Sequence, residues 1–299
     1  MHVFVTGATG FVGRALVDEL IAAGHTVTGL ARSEAAAAAL ETKGVNVLRG
    51  TLQDLETLKQ GATQADGVIN LAMNHDFSNY AASCLEEKQA IETLGSALIG
   101  TNKPLITTSG TLVLKQGKVG TEDEVIEFEE DQLKIRANNE IVTTDLAQQG
   151  VRACVVRLPP TVHGDEDHGF IYMLASLARS QGNAIFIDEG LNRWPAVNRH
   201  DAARLYRLVL ENGVAGSKYH AVDEEGVAMK DIAGAIGHSL GLPAVSKTFE
   251  EVQSIDGFLS FIISADGPVS SKKTRELLGW EPVGRKLLDD INAGLYSQQ

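Results

Sequence analysis

Basic residues and cysteines are what this 299-residue chain has little of. Lysine and arginine total 26 against 39 aspartates and glutamates, a formal charge of −13. So acidic a surface argues against nucleic acid or an anionic membrane as the main partner. Cysteine occurs twice, at Cys84 and Cys154, in no CxxC spacing, so neither a disulfide framework nor a zinc site is indicated. No apolar run reaches the length of a membrane span, and no segment repeats at a fixed period. Residues 2–6 read as a strand, without the charged and then apolar pattern of a leader. The expectation is a soluble, cytoplasmic protein that holds no metal.

What is present is ordinary for a globular protein: 43% hydrophobic and 22% charged residues. The length suggests about two domains. Strands are expected at 2–6, 26–31, 45–49, 66–71, 104–108 and 151–157, with helices at 11–23, 33–43, 54–61, 79–99 and 126–149 between them. Several strands are nearly continuous apolar runs, as in Ala153–Leu158, which is how strands covered on both faces read. This alternation predicts an α/β fold with a doubly wound parallel sheet. Beyond residue 160 the pattern changes to helices at 170–181, 199–212, 228–240 and 270–278, with short strands near 184–187 and 217–222. The acidic stretch 122–131 reads as a solvated loop entering a helix.

The first strand runs into Gly7-Ala8-Thr9-Gly10-Phe11-Val12-Gly13, and an amphipathic helix follows. In that context Gly7 allows the tight turn, Gly10 lets backbone approach a pyrophosphate, and Gly13 lets helix and strand pack closely. Free N–H groups at the helix start favour the phosphates. A dinucleotide site is expected here, with Thr9, Phe11 and Val12 at its rim. An NAD binder usually ends its second strand on an acid. This chain has Ala31-Arg32-Ser33 there, so Arg32, with Ser33 as a further donor, points to the 2′-phosphate of NADP.

Further along stand Asn70-Leu71-Ala72, Thr108-Ser109-Gly110, Arg157-Leu158-Pro159-Pro160-Thr161-Val162-His163-Gly164, Arg193-Trp194-Pro195 and Leu278-Gly279-Trp280-Glu281-Pro282. With the glycine loop, and in this order, they resemble the extended and atypical short-chain dehydrogenase/reductase superfamily, its epimerase/dehydratase-like members in particular. The resemblance spans nearly the whole chain. It implies a Rossmann domain over 1–165, with 195–222 returning to it, and a smaller substrate-binding domain over 166–299. It also implies cofactor contacts from Leu71, Ala72, Pro159 and Val162, and a homodimer paired through the helices within 79–99 and 126–149.

Members of that superfamily use a Tyr-x-x-x-Lys pair on the helix after the fifth strand, plus an upstream serine. Ser109 matches the serine. No tyrosine lies between Tyr80 and Tyr172, so the pair is absent. Taking Glu140 as the family's glutamate places Arg136 at the lysine position and Gln132 at the tyrosine position. The family's helix asparagine has Glu87 as its nearest match. Arg136 stabilises negative charge but does not give up a proton. His75, with His163, His168 and Tyr172 as further candidates, would supply one near neutrality. Trp194 reads equally as a pocket wall or a core anchor, and Phe258, Phe261 and Ile262 as a far wall or helical core. The leading expectation is an NADPH-dependent reductase of a ketone or aldehyde. The alternatives are an NADP-binding sensor without turnover and a nucleotide-sugar epimerase or dehydratase.

Overall fold

The computed structural model describes residues 1–74, 79–124, 126 and 132–297, without the side chains of 132–134. The alternation of the first half is realised as β1 (His2–Thr6), α1 (Phe11–Ala22), β2 (Thr26–Ala31), α2 (Glu34–Glu41), β3 (Asn46–Arg49), α3 (Leu55–Gln64), β4 (Gly67–Asn70), α4 (Tyr80–Ser96), β5 (Pro104–Gly110), α5 (Gln132–Gln148) and β6 (Arg152–Leu158). These are followed by β7 (Thr161–His163), α6 (Phe170–Gln181), β8 (Ala184–Ile187), β9 (Arg193–Asn198), α7 (Arg199–Asn212) and β10 (Lys218–His220). The chain ends through β11 (Glu224–Ala228), α8 (Met229–Leu240), β12 (Ala244–Lys247), α9 (Phe249–Ile255), α10 (Gly257–Ser264), α11 (Lys272–Leu278) and α12 (Leu287–Asn292).

Seven strands form one parallel sheet in the order β10-β6-β5-β4-β1-β2-β3. Its order reverses between β1 and β4, and ligands of such sheets bind at the carboxyl ends of the strands flanking that reversal. Helices cover both faces, which is why Val3, Phe4 and Val5 are all fully buried. In α1 the buried Gly13, Leu16, Val17 and Leu20 recur at helical spacing and form the face laid on the sheet.

Three short strands lie outside this sheet, in the order β11-β9-β7, and β12 pairs with β8. Near the boundary expected at 165 and the return expected from 195, Thr161–His163 and Arg193–Asn198 pair with each other, while α7 packs on the large sheet and β10 pairs with β6. Trp280, from the far end of the chain, also joins the large-sheet core, donating Nε1–H to the Asp201 carbonyl at 3.0 Å. The acidic stretch is not wholly solvated either. Glu122 is buried and accepts from the Thr274 backbone and hydroxyl at 2.8 Å each; residues 125 and 127–131 fall outside the described part.

One buried polar cluster ties the layers together. Arg157 of β6 donates from Nε and Nη2 to the two oxygens of Glu140 on α5, at 2.9 and 2.7 Å. Its Nη1 reaches Nε2 of His220 at 3.2 Å, and His220 Nδ1 lies 2.8 Å from the Ser270 carbonyl. A guanidinium only donates, so Nε2 accepts and the proton sits on Nδ1. Burial first, and then the charge of Arg157, push the His220 pKa from 6.5 down to about 4.

A pH dependence follows. Above pH 6.5 the ring is neutral whether the chain is folded or not. As pH falls from there toward 4, the unfolded chain takes up a proton that the folded one refuses, so stability falls. Unfolding free energies from urea titration across that window should drop by up to about 1.4 kcal/mol per pH unit from this group, and His220→Gln should flatten that part of the slope.

Candidate functional site

The glycine loop links β1 to α1 at the sheet reversal. Gly7 has φ 68°, and a Cβ there would lie 2.8 Å from the Ala72 backbone nitrogen. On Gly13 a Cβ would lie 2.0 Å from the Gly7 carbonyl oxygen. Gly10 precedes the first turn of α1 with no side-chain cap, which leaves that turn's N–H groups free of one. Thr9, Phe11 and Val12 are half-buried around it. Across the reversal, Thr6 Oγ1 donates to Asn70 Oδ1 at 2.6 Å and accepts from the Ala72 N–H at 3.2 Å. The buried Asn70 Nδ2 has no partner among the described residues. A cradle with no room for side chains, free helix N–H groups and an orphaned amide suits the phosphates and ribose of a dinucleotide. Leu71 and Ala72 lie against Gly7, Val162 is half-buried and Pro159 is buried.

At the end of β2, Arg32 is exposed and makes no ion pair among the described residues, whereas Arg49 of the neighbouring β3 is paired with Glu34 at 2.5 Å. Ser33 caps α2, its Oγ accepting from the Ala36 N–H at 3.2 Å. That takes up its oxygen as an acceptor but leaves its O–H to donate.

Ser109 ends β5, and alternation sets its direction. Thr107 Oγ1 meets Thr143 of α5 at 3.0 Å, and Thr108 Oγ1 meets Tyr206 of α7 at 2.8 Å, so Ser109 returns to the α5 face. Only 3% exposed, its hydroxyl has no partner among the described residues. Arg136 reaches this strand end from α5: its Nη1 lies 3.9 Å from the place of a Cβ on Gly110. Its Nη2 stands 3.4 Å from Glu87 Oε1, and Asn139 Nδ2 donates to Glu87 Oε2 at 2.8 Å. The charge of Glu87 raises the Arg136 pKa against the effect of burial.

Arg136 thus reaches the end of the strand that carries Ser109. Gln132 begins α5, one turn before Arg136, and its side chain is outside the described residues, as is His75. The other proton candidates are elsewhere. The His163 ring is buried with Nδ1 2.7 Å from Asp290, and the His168 ring packs edge-on against Tyr172. Trp194 resolves as a core anchor, fully buried beside Phe170. Ile262 is core, and Phe261 is exposed.

Tyr80 carries no family motif, so its part was not legible in the sequence. It opens α4, half-buried, bonded to the Cys84 thiol and within electrostatic reach of Arg136 and Glu87. Burial, the leading cause, pushes its pKa above the ordinary value. A cavity of about 480 Å³ opens beside the N-terminus of α7, away from Ser109, with His200, Arg204 and Arg285 in its wall. Asp201 in the same wall is taken up by the Val283 and Gly284 N–H groups and Arg204.

Together these features define a doubly wound dinucleotide-binding protein with a hydroxyl and a guanidinium at the end of its fifth strand. The profile of the NAD dependent epimerase/dehydratase family matches residues 3–92. An uncharacterized protein of Schizosaccharomyces pombe is 48% identical over 99% of this chain and 100% of its own length. A 4-hydroxy-2-methyl-3-oxo-4-farnesyl-3,4-dihydroquinoline-1-oxide ketoreductase of Stigmatella aurantiaca is 25% identical over 82% of this chain and 75% of its own. Among solved structures, a dTDP-glucose 4,6-dehydratase from Streptomyces venezuelae, with NAD and TYD bound, superposes with a TM-score of 0.78 at 18% identity, covering 99% of this chain and 96% of that one. Residues 3–92 thus belong to the NAD dependent epimerase/dehydratase family, and the chain as a whole shares the fold of the dehydratase.

Gly13→Ala tests the cradle. A methyl group 2.0 Å from a backbone oxygen forces α1 off β1, so the variant should lose about 2 kcal/mol or more in urea unfolding. Gly24→Ala, with open space around its Cβ but φ 81°, should cost less.

Proposed function

We propose that this protein is an NADPH-dependent oxidoreductase that reduces a ketone or an aldehyde. The observation that carries the reading is the orphaned, buried Ser109 hydroxyl near the strand end that the Arg136 guanidinium reaches. A bound nicotinamide supplies the hydride. The chain's part is to bind, orient and stabilise. Ser109 Oγ–H donates to the carbonyl oxygen, and Arg136 steadies the negative charge that grows there. Tyr80 holds the proton that the oxygen finally takes; burial keeps its phenol protonated, as an acid in reduction must be.

The same chemistry disfavours an epimerase or dehydratase. Oxidation of a sugar hydroxyl begins with a base, and neither a guanidinium nor a phenol with a raised pKa is suited to that role. A sensor without turnover would need no buried hydroxyl waiting at the strand end. The similarity to a ketoreductase supports reduction. The absence of an acid after β2, with Arg32 exposed in its place, supports NADPH over NADH. Pairing of two copies through α4 and α5 belongs to the same proposal, since Leu85 and Ile141 on those helices are 56% and 42% exposed.

The test is oxidation of NADPH at 340 nm against ketones and aldehydes, with NADH in parallel. Turnover should fall by about 10²-fold in Ser109→Ala and in Tyr80→Phe, with the affinity for NADPH kept. NADPH binding without turnover on any carbonyl would sink the reductase reading in favour of a sensor. Arg32→Ala should weaken NADPH by about 2 kcal/mol and leave NADH unchanged; equal loss for both would remove the phosphate contact.

A further inference from the structure

Beside the cradle lies a group of charges that the reaction above does not use. Arg14 stands on the second turn of α1, its backbone N–H bonded to Gly10 at 3.0 Å. Arg199 opens α7, which packs alongside α1, and its guanidinium carbon stands 5.2 Å from the centre of the Phe11 ring. Both helices run back from the carboxyl edge of the sheet, so both arginines sit at the edge where the phosphates belong. One carboxylate serves the two: Glu166 Oε2 is 3.3 Å from Arg14 Nη1 and 3.5 Å from Arg199 Nη1.

The three groups do not satisfy one another. Two cations share one anion, which leaves a net positive charge next to the positive end of the α1 dipole. Both contacts exceed the 2.7–2.9 Å usual between a guanidinium and a carboxylate. The Nε atoms of Arg14 and Arg199 are buried with no partner among the described residues. Arg199 is only 12% exposed, so its charge has lost most of its water. Glu166 itself is 57% exposed and adopts φ 65°, a conformation rare for a residue with a side chain. Its loop is fixed on either side: His163 is held by Asp290 at 2.7 Å, and Asp167 accepts from the Tyr296 hydroxyl at 2.6 Å. Between those anchors Glu166 is free to leave by rotation of its side chain.

We propose that Glu166 is a built-in substitute for phosphate, holding Arg14 and Arg199 at the mouth of the cradle until the pyrophosphate of the dinucleotide displaces it. The arginines then read the part that NADH and NADPH share, whereas Arg32 reads the part they do not. This rests on the dinucleotide reading of the glycine loop and adds a competing internal anion to it. The displaced carboxylate goes to water, which its exposure allows, so exchange costs no buried charge.

The test is direct titration of NADPH and NADH, followed by nucleotide fluorescence, with the wild type, Glu166→Gln, Arg199→Met and Arg14→Met. Glu166→Gln removes the competitor and should tighten both cofactors about threefold or more. Each arginine variant should weaken both by a similar factor, about tenfold for the more buried Arg199. Inorganic pyrophosphate should compete more strongly against the Glu166→Gln protein than against wild type. Weaker binding in Glu166→Gln, or loss of NADPH alone in Arg199→Met, overturns the proposal. Should Arg199→Met fail to fold, Glu166→Gln decides, since its side chain is exposed. A wild type that binds neither cofactor overturns the dinucleotide reading together with this one; binding unchanged by all variants overturns this one alone.

Discussion

Arg157 and Glu140 form a doubly bonded ion pair without access to water, and the orientation of α5 follows from it. Removing either partner would leave a buried charge uncompensated, a cost of several kcal/mol, so the helix is held in one rotation about its axis. That rotation matters because Arg136 lies four residues before Glu140, on the same helical face. Helix α5 runs toward β6 from the carboxyl edge of the sheet, which puts Arg136 one turn nearer that edge than Glu140. The ion pair lies deep, and the guanidinium one turn above it comes out beside Gly110. The same Arg157 belongs to the Arg-Leu-Pro-Pro stretch that leads to Val162, so one side chain aligns the helix carrying the cation with the strand leading to the cofactor.

The substitutions at the family's usual positions read as a single electrostatic solution. Counted from Glu140, the resemblance puts Arg136 at the lysine position, and a guanidinium buried there needs an opposite charge. Glu87, where the family has an asparagine, supplies it at 3.4 Å, and Asn139 occupies the other carboxylate oxygen at 2.8 Å. Tyr80 approaches from α4 with a pKa pushed up by burial. The charge of Arg136 draws that pKa down and Glu87 works against it, so burial and the carboxylate together outweigh the guanidinium and keep the phenol protonated.

How much of this the sequence carried depended on how local each cause was. The glycine loop, the six strands of the first half and the missing acid after β2 each follow from a few consecutive residues, and the parallel sheet has them in place. Ser109 and Arg136 were singled out through family spacing, and the sheet face of Ser109 follows from β-strand alternation. The three-stranded sheet was not legible. Thr161–His163 is three residues long and pairs with Arg193–Asn198 about thirty residues later, and strands that short show no periodicity. Glu87 reads alone as a lost asparagine, because its partner Arg136 on α5 is 49 residues away. Tyr80 sat on a different helix from the one where family spacing seeks a tyrosine. Trp280 joined the large-sheet core from the far end of the chain, a contact no local pattern records.

The net charge and the expected ligand pull in opposite directions. A chain carrying −13 repels a dinucleotide, itself a polyanion, at long range. Salt screens charges beyond about 8–10 Å, so within the cleft only the nearest groups count. There the balance is reversed. Arg14 and Arg199 stand at the α1 end of the cradle, Arg32 at the end of β2 and Arg136 beyond Ser109, each at the carboxyl edge of the parallel strands. Two of the four, Arg136 and Arg199, are mostly buried, where a charge acts through less water and so more strongly. A carboxylate accompanies each of these two, Glu87 for one and Glu166 for the other. The difference between the two acids is exposure. Glu87 is enclosed and bonded on both oxygens, so it stays and tunes; Glu166 is open to solvent and loosely held, so it is the one that a phosphate can replace.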